Sequence, residues 1–422
     1  MNTWLVPRRD LTPDQARAVE MPPTVNRIIL GMAGSGKTQI LIHRAAHLAS
    51  AFRIPSGKYR VFVFTNVIKE YIRSGLEMLG LPESAVSTFD SWCVEVYEEH
   101  FGVRLPRKAD GRSIDFPAVR RKVLGLVRGE KGLRNTFEFV LVDEGQDLAP
   151  DAYEIIREIA RHVTVFVDPL QRIFDDGAET GYIFDRLGVT NTTGTILGAF
   201  RNADYVADLA AHFISDRAKM EQFRAQVSAT QRVRERPLLF VASSFEQEMD
   251  RLAEVIRSRQ VRNERIGIIV PTNRLLHGLT RGLADRVVEV EKAATREAGR
   301  KVQVTCSFEN QVPKIATFFQ AKGLTFDSVL LPRLTANAFG FYDSDRIKRM
   351  MFVGIARATQ WAYLSTVDGD MFPLSPTLNE AAERGHLIIQ KQCDWQKQGR
   401  TQSGGNNAMS GSGGYDDDFP VL

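Results

Sequence analysis

The sequence predicts an α/β protein of two domains, each built on a parallel sheet. Three observations carry this prediction. The chain has 422 residues, more than one core organises, since single cores stop growing at about 250 to 300 residues. Short apolar runs alternate with helical stretches along most of the length, the βαβ pattern of a parallel sheet. A glycine-rich octapeptide, GMAGSGKT at residues 31 to 38, joins an apolar run to a helical stretch.

Taken in order, strands are expected at 27–30, 60–65, 138–142 and 163–167 in the first half, with helical segments between them. In the second half they are expected at 237–242, 265–270, 301–305, 314–319 and 327–332, with helices at 244–259 and 273–285. The expected division is a first domain over 1–196, a second over 197–390, and a linker with an acidic tip over 391–422. No internal repeat is visible.

Composition narrows the function classes. Hydrophobic residues make up 43% and charged residues 25%, ordinary for a globular chain, and no apolar run approaches the ~20 residues that span a bilayer. Cys93, Cys306 and Cys393 lie too far apart for a disulfide framework or a zinc knuckle, and the N-terminal residues lack the apolar core of a secretory signal, so a reducing, cytoplasmic setting is expected. The formal charge is +4, and residues 415 to 422 hold three acids and no base. A modestly basic body with an acidic tip suits a nucleic-acid partner.

The octapeptide fits GxxxxGK[ST]. Glycines let successive backbone N–H groups wrap a phosphate at a helix N-terminus, which makes Gly31, Ala33, Gly34, Ser35 and Gly36 the expected cradle, with Gln39 just behind it. Lys37 brings a point charge to the β and γ phosphates of ATP, and the Thr38 hydroxyl can ligate Mg2+. Such a loop needs a carboxylate-bearing strand beside it. FEFVLVDEGQDL, residues 137 to 148, supplies one: Asp143 is the expected second holder of the metal and Glu144 the expected general base for the attacking water.

DEGQD resembles the acidic box of superfamily 1 DNA helicases of the UvrD/Rep type, and further segments resemble that family's motifs in its order. By that resemblance LTPDQARAV, residues 11 to 19, gives Gln15 the adenine edge. FVFTNVIKEYI from Phe62 and VSTFDSWC from Val86 imply that Thr65, Asn66, Thr88 and Phe89 face single-stranded DNA. VFVDPLQRIF, residues 165 to 174, makes Gln171 a γ-phosphate sensor. LGAFRNADYVADL, residues 197 to 209, makes Phe200 an adenine-stacking ring and Arg201 a first arginine finger. IATFFQAKGLTFDSVLLP, residues 315 to 332, places Thr317 on DNA and Gly323 and Thr325 at the nucleotide, and FVGIARATQWAYL, residues 352 to 364, makes Arg357 the second finger. The resemblance implies two RecA-like P-loop domains with the ATP site at their interface, ATP and Mg2+ as cofactors, and 3′ to 5′ movement on single-stranded DNA.

The chain departs from that pattern where hydrolysis couples to DNA. The gaps that hold large helical insertions in the family are short: 94–136, with room for two or three helices, and 284–300, with room for barely one. After Phe174 the family's base-stacking tryptophan is missing, and Phe319, Thr325 and Ala356 stand where histidine, glutamate and threonine are usual. Two functions are therefore open, a DNA-stimulated translocase or helicase and a nucleotide-gated adaptor that grips a strand without unwinding it. The tip, Asp416, Asp417, Asp418, Phe419, Pro420, Val421 and Leu422 after a Gly/Ser/Asn/Gln-rich tether, resembles the acidic tail of bacterial single-stranded DNA-binding protein. It is expected to dock a partner protein or to compete for the protein's own DNA channel.

Overall fold

The computed structural model describes residues 4–32, 34–129, 133–169, 178–190, 195–197, 203–226, 235–293, 295–298, 301–304, 307–308 and 310–391. Ala33, Gln171, Phe200, Arg201 and the whole tip from Asp416 to Leu422 lie outside the described residues.

Two all-parallel sheets, each flanked by helices, form the α/β architecture that the sequence predicts. In the first, β1 (Arg27–Gly31), β2 (Tyr59–Val63), β3 (Val86–Thr88), β4 (Phe137–Val142), β5 (Ala160–Val167) and β6 (Thr195–Leu197) run in the order β3-β2-β4-β5-β1-β6. Its helices are α1 (Pro13–Glu20), α2 (Lys37–Ala51), α3 (Asn66–Met78), α4 (Phe89–Phe101), α5 (Phe116–Gly129), α6 (Pro150–Ile159) and α7 (Thr180–Leu187). The central strands read as unbroken apolar runs because helices cover both faces: in β4 only Glu138 is exposed, and β5 is buried except at Arg161.

The second sheet holds β7 (Leu238–Ala242), β8 (Ile266–Val270), β9 (Glu291–Lys292), β12 (Lys314–Thr317), β13 (Phe326–Leu331), β14 (Ala358–Val367) and β15 (Ile388–Lys391), in the order β15-β7-β14-β13-β8-β12-β9. A separate antiparallel hairpin, β10 (Thr295–Ala298) with β11 (Lys301–Val304), falls between β9 and β12. The accompanying helices are α8 (Asp204–Ala211), α9 (Arg217–Gln226), α10 (Phe245–Val261), α11 (Asn273–Ala284), α12 (Ala336–Phe339), α13 (Ser344–Ile355) and α14 (Ser375–Glu383). Helix α8 packs on α13 and β14, and the Ala203 amide donates to the Thr359 carbonyl at 2.8 Å.

Three expectations need correction. Residues 301–305 are not a strand of the parallel sheet; 301–304 form one arm of the hairpin, which packs on α3 of the first half. The 284–300 gap holds β9 and the other arm of that hairpin rather than a helix. Strand β14, a central strand between β13 and β7, goes unpredicted because Thr359, Gln360, Ser365 and Thr366 interrupt its apolar run. Two of these are buried and satisfied: Ser365 Oγ donates to Glu248 Oε1 at 2.7 Å and Thr366 Oγ1 to the Leu334 carbonyl at 2.6 Å.

Candidate nucleotide site and the cleft between the sheets

In the first sheet β5 lies between β1 and β4, so three strand ends converge on one edge. Past β1 the chain turns through the glycine-rich loop into α2. Gly34 and Gly36 both take left-handed backbone angles, φ 81° and 82°, where a side chain is strained. A Cβ at Gly31 would stand 2.4 Å from Ser35 Oγ, so only glycine permits the loop to fold back this tightly. The loop thus aims the N-terminus of a 15-residue helix at the strand edge, an arrangement suited to an anion.

Lys37, the first residue of that helix, is buried. Its ammonium donates to the Gly31 carbonyl at 2.7 Å, to the Met32 carbonyl at 3.1 Å and to Asp168 Oδ2 at 3.2 Å. Thr38 Oγ1 lies 3.5 Å from Asp143 Oδ2, at the end of β4. The two residues expected to share a metal are therefore side by side. Asp143 Oδ1 and Ser35 Oγ are buried without a hydrogen-bond partner among the described residues. Burial and the neighbouring Glu144 charge push the Asp143 carboxyl up to about 7. A hydroxyl and an unsatisfied carboxylate oxygen form a hard-oxygen donor set that fits Mg2+, an ion held by one or two protein groups plus phosphate and water.

Glu144 takes a left-handed backbone conformation, φ 49° and ψ 46°, uncommon for a residue with a side chain and typical of functional sites. Burial alone would raise its carboxyl, but Lys322, Lys37, Arg357 and a hydrogen bond outweigh that and hold it below the usual carboxylate range. The hydrogen bond comes from Gln146 Nε2 at 2.6 Å. Gln146 Oε1 in turn accepts the Asp168 amide at 3.0 Å, tying Glu144 to the end of β5.

Arg357 reaches this cluster from the second sheet. It is buried at the end of α13, with Nε donating to the Val353 carbonyl at 3.2 Å and Nη1 to the Leu324 carbonyl at 3.4 Å. Burial lowers its guanidinium's affinity for the proton, and the charges of Glu144, Asp168, Asp143 and Asp147 oppose that shift. Gly323 packs on α3 of the first half, where a Cβ would stand 2.0 Å from Ile68 Cδ1, and takes φ 78°.

Two expected nucleotide contacts are engaged within the protein. Gln15 completes a capping box with Thr12 at the start of α1, and its Nε2 donates to the Ser35 carbonyl at 2.9 Å. It stands at the loop's outer side. Gln39 faces the N-terminal segment instead, accepting the Val6 amide at 2.9 Å and donating to the Trp4 carbonyl at 3.3 Å.

Beside this site a cleft of 1690 Å³ runs between the two halves. Thr65, Asn66, Thr88, Phe89 and Thr317, the five residues expected on DNA, all line it. Thr65 and Thr88 also cap α3 and α4, their hydroxyls accepting the Ile68 and Ser91 amides at 3.2 and 3.1 Å. Phe319 projects into the cleft from the second half, 41% exposed, edge to face with Phe64 of the first at 5.7 Å.

Sequence reasoning missed Asp168, Gln146 and Lys322. Asp168 had a signal, since VFVD is an apolar strand ending in an acid, as FEFVLVD is. Lys322, three residues past Phe319, is 2% exposed and forms a buried ion pair with Asp147; its Nζ also stands 4.0 Å from Glu144 Oε2.

Residues 11–115 match the family model of the UvrD/REP helicase N-terminal domain. The chain is UvrD/REP-like. The matched span of this UvrD/REP-like chain carries Gln15, the glycine-rich loop, Thr65, Asn66, Thr88 and Phe89. Among solved structures, the C-terminal domain of a possible DNA helicase from Lactobacillus plantarun WCFS1 is similar to it at 17% identity, covering 45% of this chain and 98% of that one with a TM-score of 0.34. No curated protein matches. Among the described residues, no helix is long and apolar enough to cross a membrane.

Proposed function

We propose that the protein is an ATP hydrolase stimulated by single-stranded DNA, a translocase or helicase motor of 3′ to 5′ polarity. One observation carries the reading: a single cleft draws Thr65, Asn66, Thr88 and Phe89 from one half and Thr317 from the other, directly beside a carboxylate cluster that both halves complete. In this reading 1–196 and 197–390 are the two motor domains and 391–422 is an appended tail.

Each residue then has a chemical task. The loop amides and Lys37 hold the β and γ phosphates, exchanging the lysine's carbonyl partners for phosphate oxygens. Thr38 and Asp143 hold Mg2+, which when bound neutralises charge on the phosphates. Glu144, held ionised and oriented by Gln146, takes the proton of the attacking water. Arg357 stabilises charge developing on the transferred phosphoryl group, and Arg201 is proposed as its companion. Gln171, Phe200, Gly323 and Thr325 complete the nucleotide pocket.

A second reading, a nucleotide-gated adaptor that grips a strand without moving along it, is favoured by the hairpin β10–β11. Where a large accessory insertion would give leverage on a duplex, this chain has a short hairpin packed on α3. The test is ATP turnover with and without a single-stranded oligonucleotide, followed by displacement of streptavidin from either end. Stimulation with displacement from one end supports the motor, stimulation without displacement supports the adaptor, and no stimulation overturns both.

A further inference from the structure

We infer that Lys322 is a positioning residue, contributed by the second half to the carboxylate cluster of the first, and that the turn 317–323 makes this contribution depend on what occupies the cleft. The inference rests on the hydrolase reading above and deepens it.

The turn is compact and internally braced. Thr317 Oγ1 and the Thr317 amide both donate to Gln320 Oε1, at 3.0 and 2.9 Å, and Thr317 Oγ1 accepts the Gln320 amide at 3.3 Å. The Ala321 amide returns to the Thr317 carbonyl at 2.8 Å, and the Leu324 amide to the Ala321 carbonyl at 3.1 Å. A turn so bonded shifts as a unit. Its first part faces the cleft through Thr317, Phe319 and Gln320. Its last part carries Lys322 into the carboxylates and seats Gly323 on Ile68 of α3, within one helical turn of Thr65 and Asn66. Strand contacts on Thr317 or Phe319 therefore act on the same small body that sets the distance from Lys322 to Asp147 and Glu144.

The chemistry at the far end responds steeply to position. Asp147 and Lys322 have side chains 0% and 2% exposed, and Coulomb attraction in such a setting is screened far less than at the surface. A displacement that loosens Lys322 from Asp147 changes the charge facing Glu144, whose carboxylate must be both ionised and aimed to accept a proton. Lys322 itself touches neither water nor phosphate in this scheme; it acts through Glu144 and Asp147.

The test measures turnover with and without oligothymidylate, and affinity for a fluorescent ATP analogue, in the full chain and in Lys322→Met, Lys322→Arg, Asp147→Asn and the double variant Lys322→Met/Asp147→Asn. Lys322→Met and Asp147→Asn are each expected to cut the ratio of stimulated to basal turnover by about tenfold, with analogue affinity nearly unchanged. Lys322→Arg should recover part of the ratio, and the double variant should be no worse than either single one, because both remove the same contact. Thermal unfolding identifies any variant that fails to fold, and Asp147→Asn with Lys322→Arg then carries the test. An unchanged ratio in the folded variants, or losses that add in the double variant, overturns the inference while leaving the hydrolase reading intact. A wild-type chain that oligothymidylate does not stimulate overturns both.

Discussion

Lys37 Nζ lies 3.2 Å from Asp168 Oδ2, with both side chains buried, so the invariable cation of the glycine-rich loop is anchored to the end of β5 as well as to its own loop. Removing one member of a buried pair leaves an uncompensated charge, which costs about 3 to 5 kcal/mol. Lys37→Ala is therefore expected to lose about 3 kcal/mol of stability along with all turnover. Adding Asp168→Asn should restore most of the stability and none of the turnover. Urea unfolding of the two variants beside wild type decides this; a fully stable Lys37→Ala protein would show that the pair carries no weight.

Glu144→Gln preserves the size of the side chain and its hydrogen bond with Gln146, but removes the basic oxygen. General-base catalysis contributes typically ~10²- to 10⁴-fold, so turnover should fall by that order while ATP affinity stays within about twofold of wild type. Single-turnover hydrolysis and equilibrium nucleotide binding on the same preparation separate the two quantities. Unimpaired turnover would move the base elsewhere.

Arg357 is fixed by the Val353 and Leu324 carbonyls at the edge of the carboxylate cluster. Arginine fingers contribute about 10³- to 10⁵-fold to turnover, so Arg357→Ala should depress kcat by at least about 10³-fold and change KM far less. Equal effects on both would mean that the guanidinium binds ground state and transition state alike, and the finger role would fall.

Phe319 occupies a position where the UvrD/Rep pattern expects histidine, and its half-exposed ring meets Phe64 across the cleft. A ring in this place offers a stacking face, and stacking on an aromatic contributes about 1 to 3 kcal/mol per base. Phe319→Ala should weaken oligothymidylate binding by about 5- to 150-fold, with ATP affinity unaltered; fluorescence anisotropy with a labelled strand measures it. Unchanged strand affinity would assign Phe319 to packing against Phe64 alone.

The parts of this molecule that were legible in the sequence are those where local pattern and burial agree. Strands β1, β4 and β5 are apolar throughout their buried lengths, and the glycines of the loop are dictated by backbone angles that few other residues adopt. Strand β14 was hidden because its buried hydroxyls and amide find partners only through distant residues such as Glu248. Lys322 was hidden for the same reason: a lysine in a turn reads as a solvated surface residue, and only the packing of one half on the other places it against Asp147. Asp168, by contrast, carried the same strand-then-acid signature as Asp143 and was passed over for the glutamine three residues on.

The buried face of α2 sets the acid limit of the fold. Arg44, fully buried, donates from Nη1 to the Ala18, Val19 and Met21 carbonyls at 3.2, 3.2 and 2.7 Å, closing the end of α1, and from Nη2 to His162 Nε2 at 3.1 Å. Burial, then the Arg44 and Arg27 charges, lower the His162 imidazole from 6.5 to about 3, and burial with His386 lowers His212 to about 4. Between about pH 6.5 and these values the unfolded chain takes up protons that the native protein refuses. Their contribution to stability is thus full above about pH 6.5 and lost as the pH falls, by about 2 kcal/mol at pH 5 for His162 alone. Urea midpoints should drop between pH 7 and pH 5, and His162→Gln, which keeps an acceptor for Arg44 but cannot titrate, should flatten that drop. An identical pH dependence in the two proteins would assign the acid sensitivity to groups other than His162.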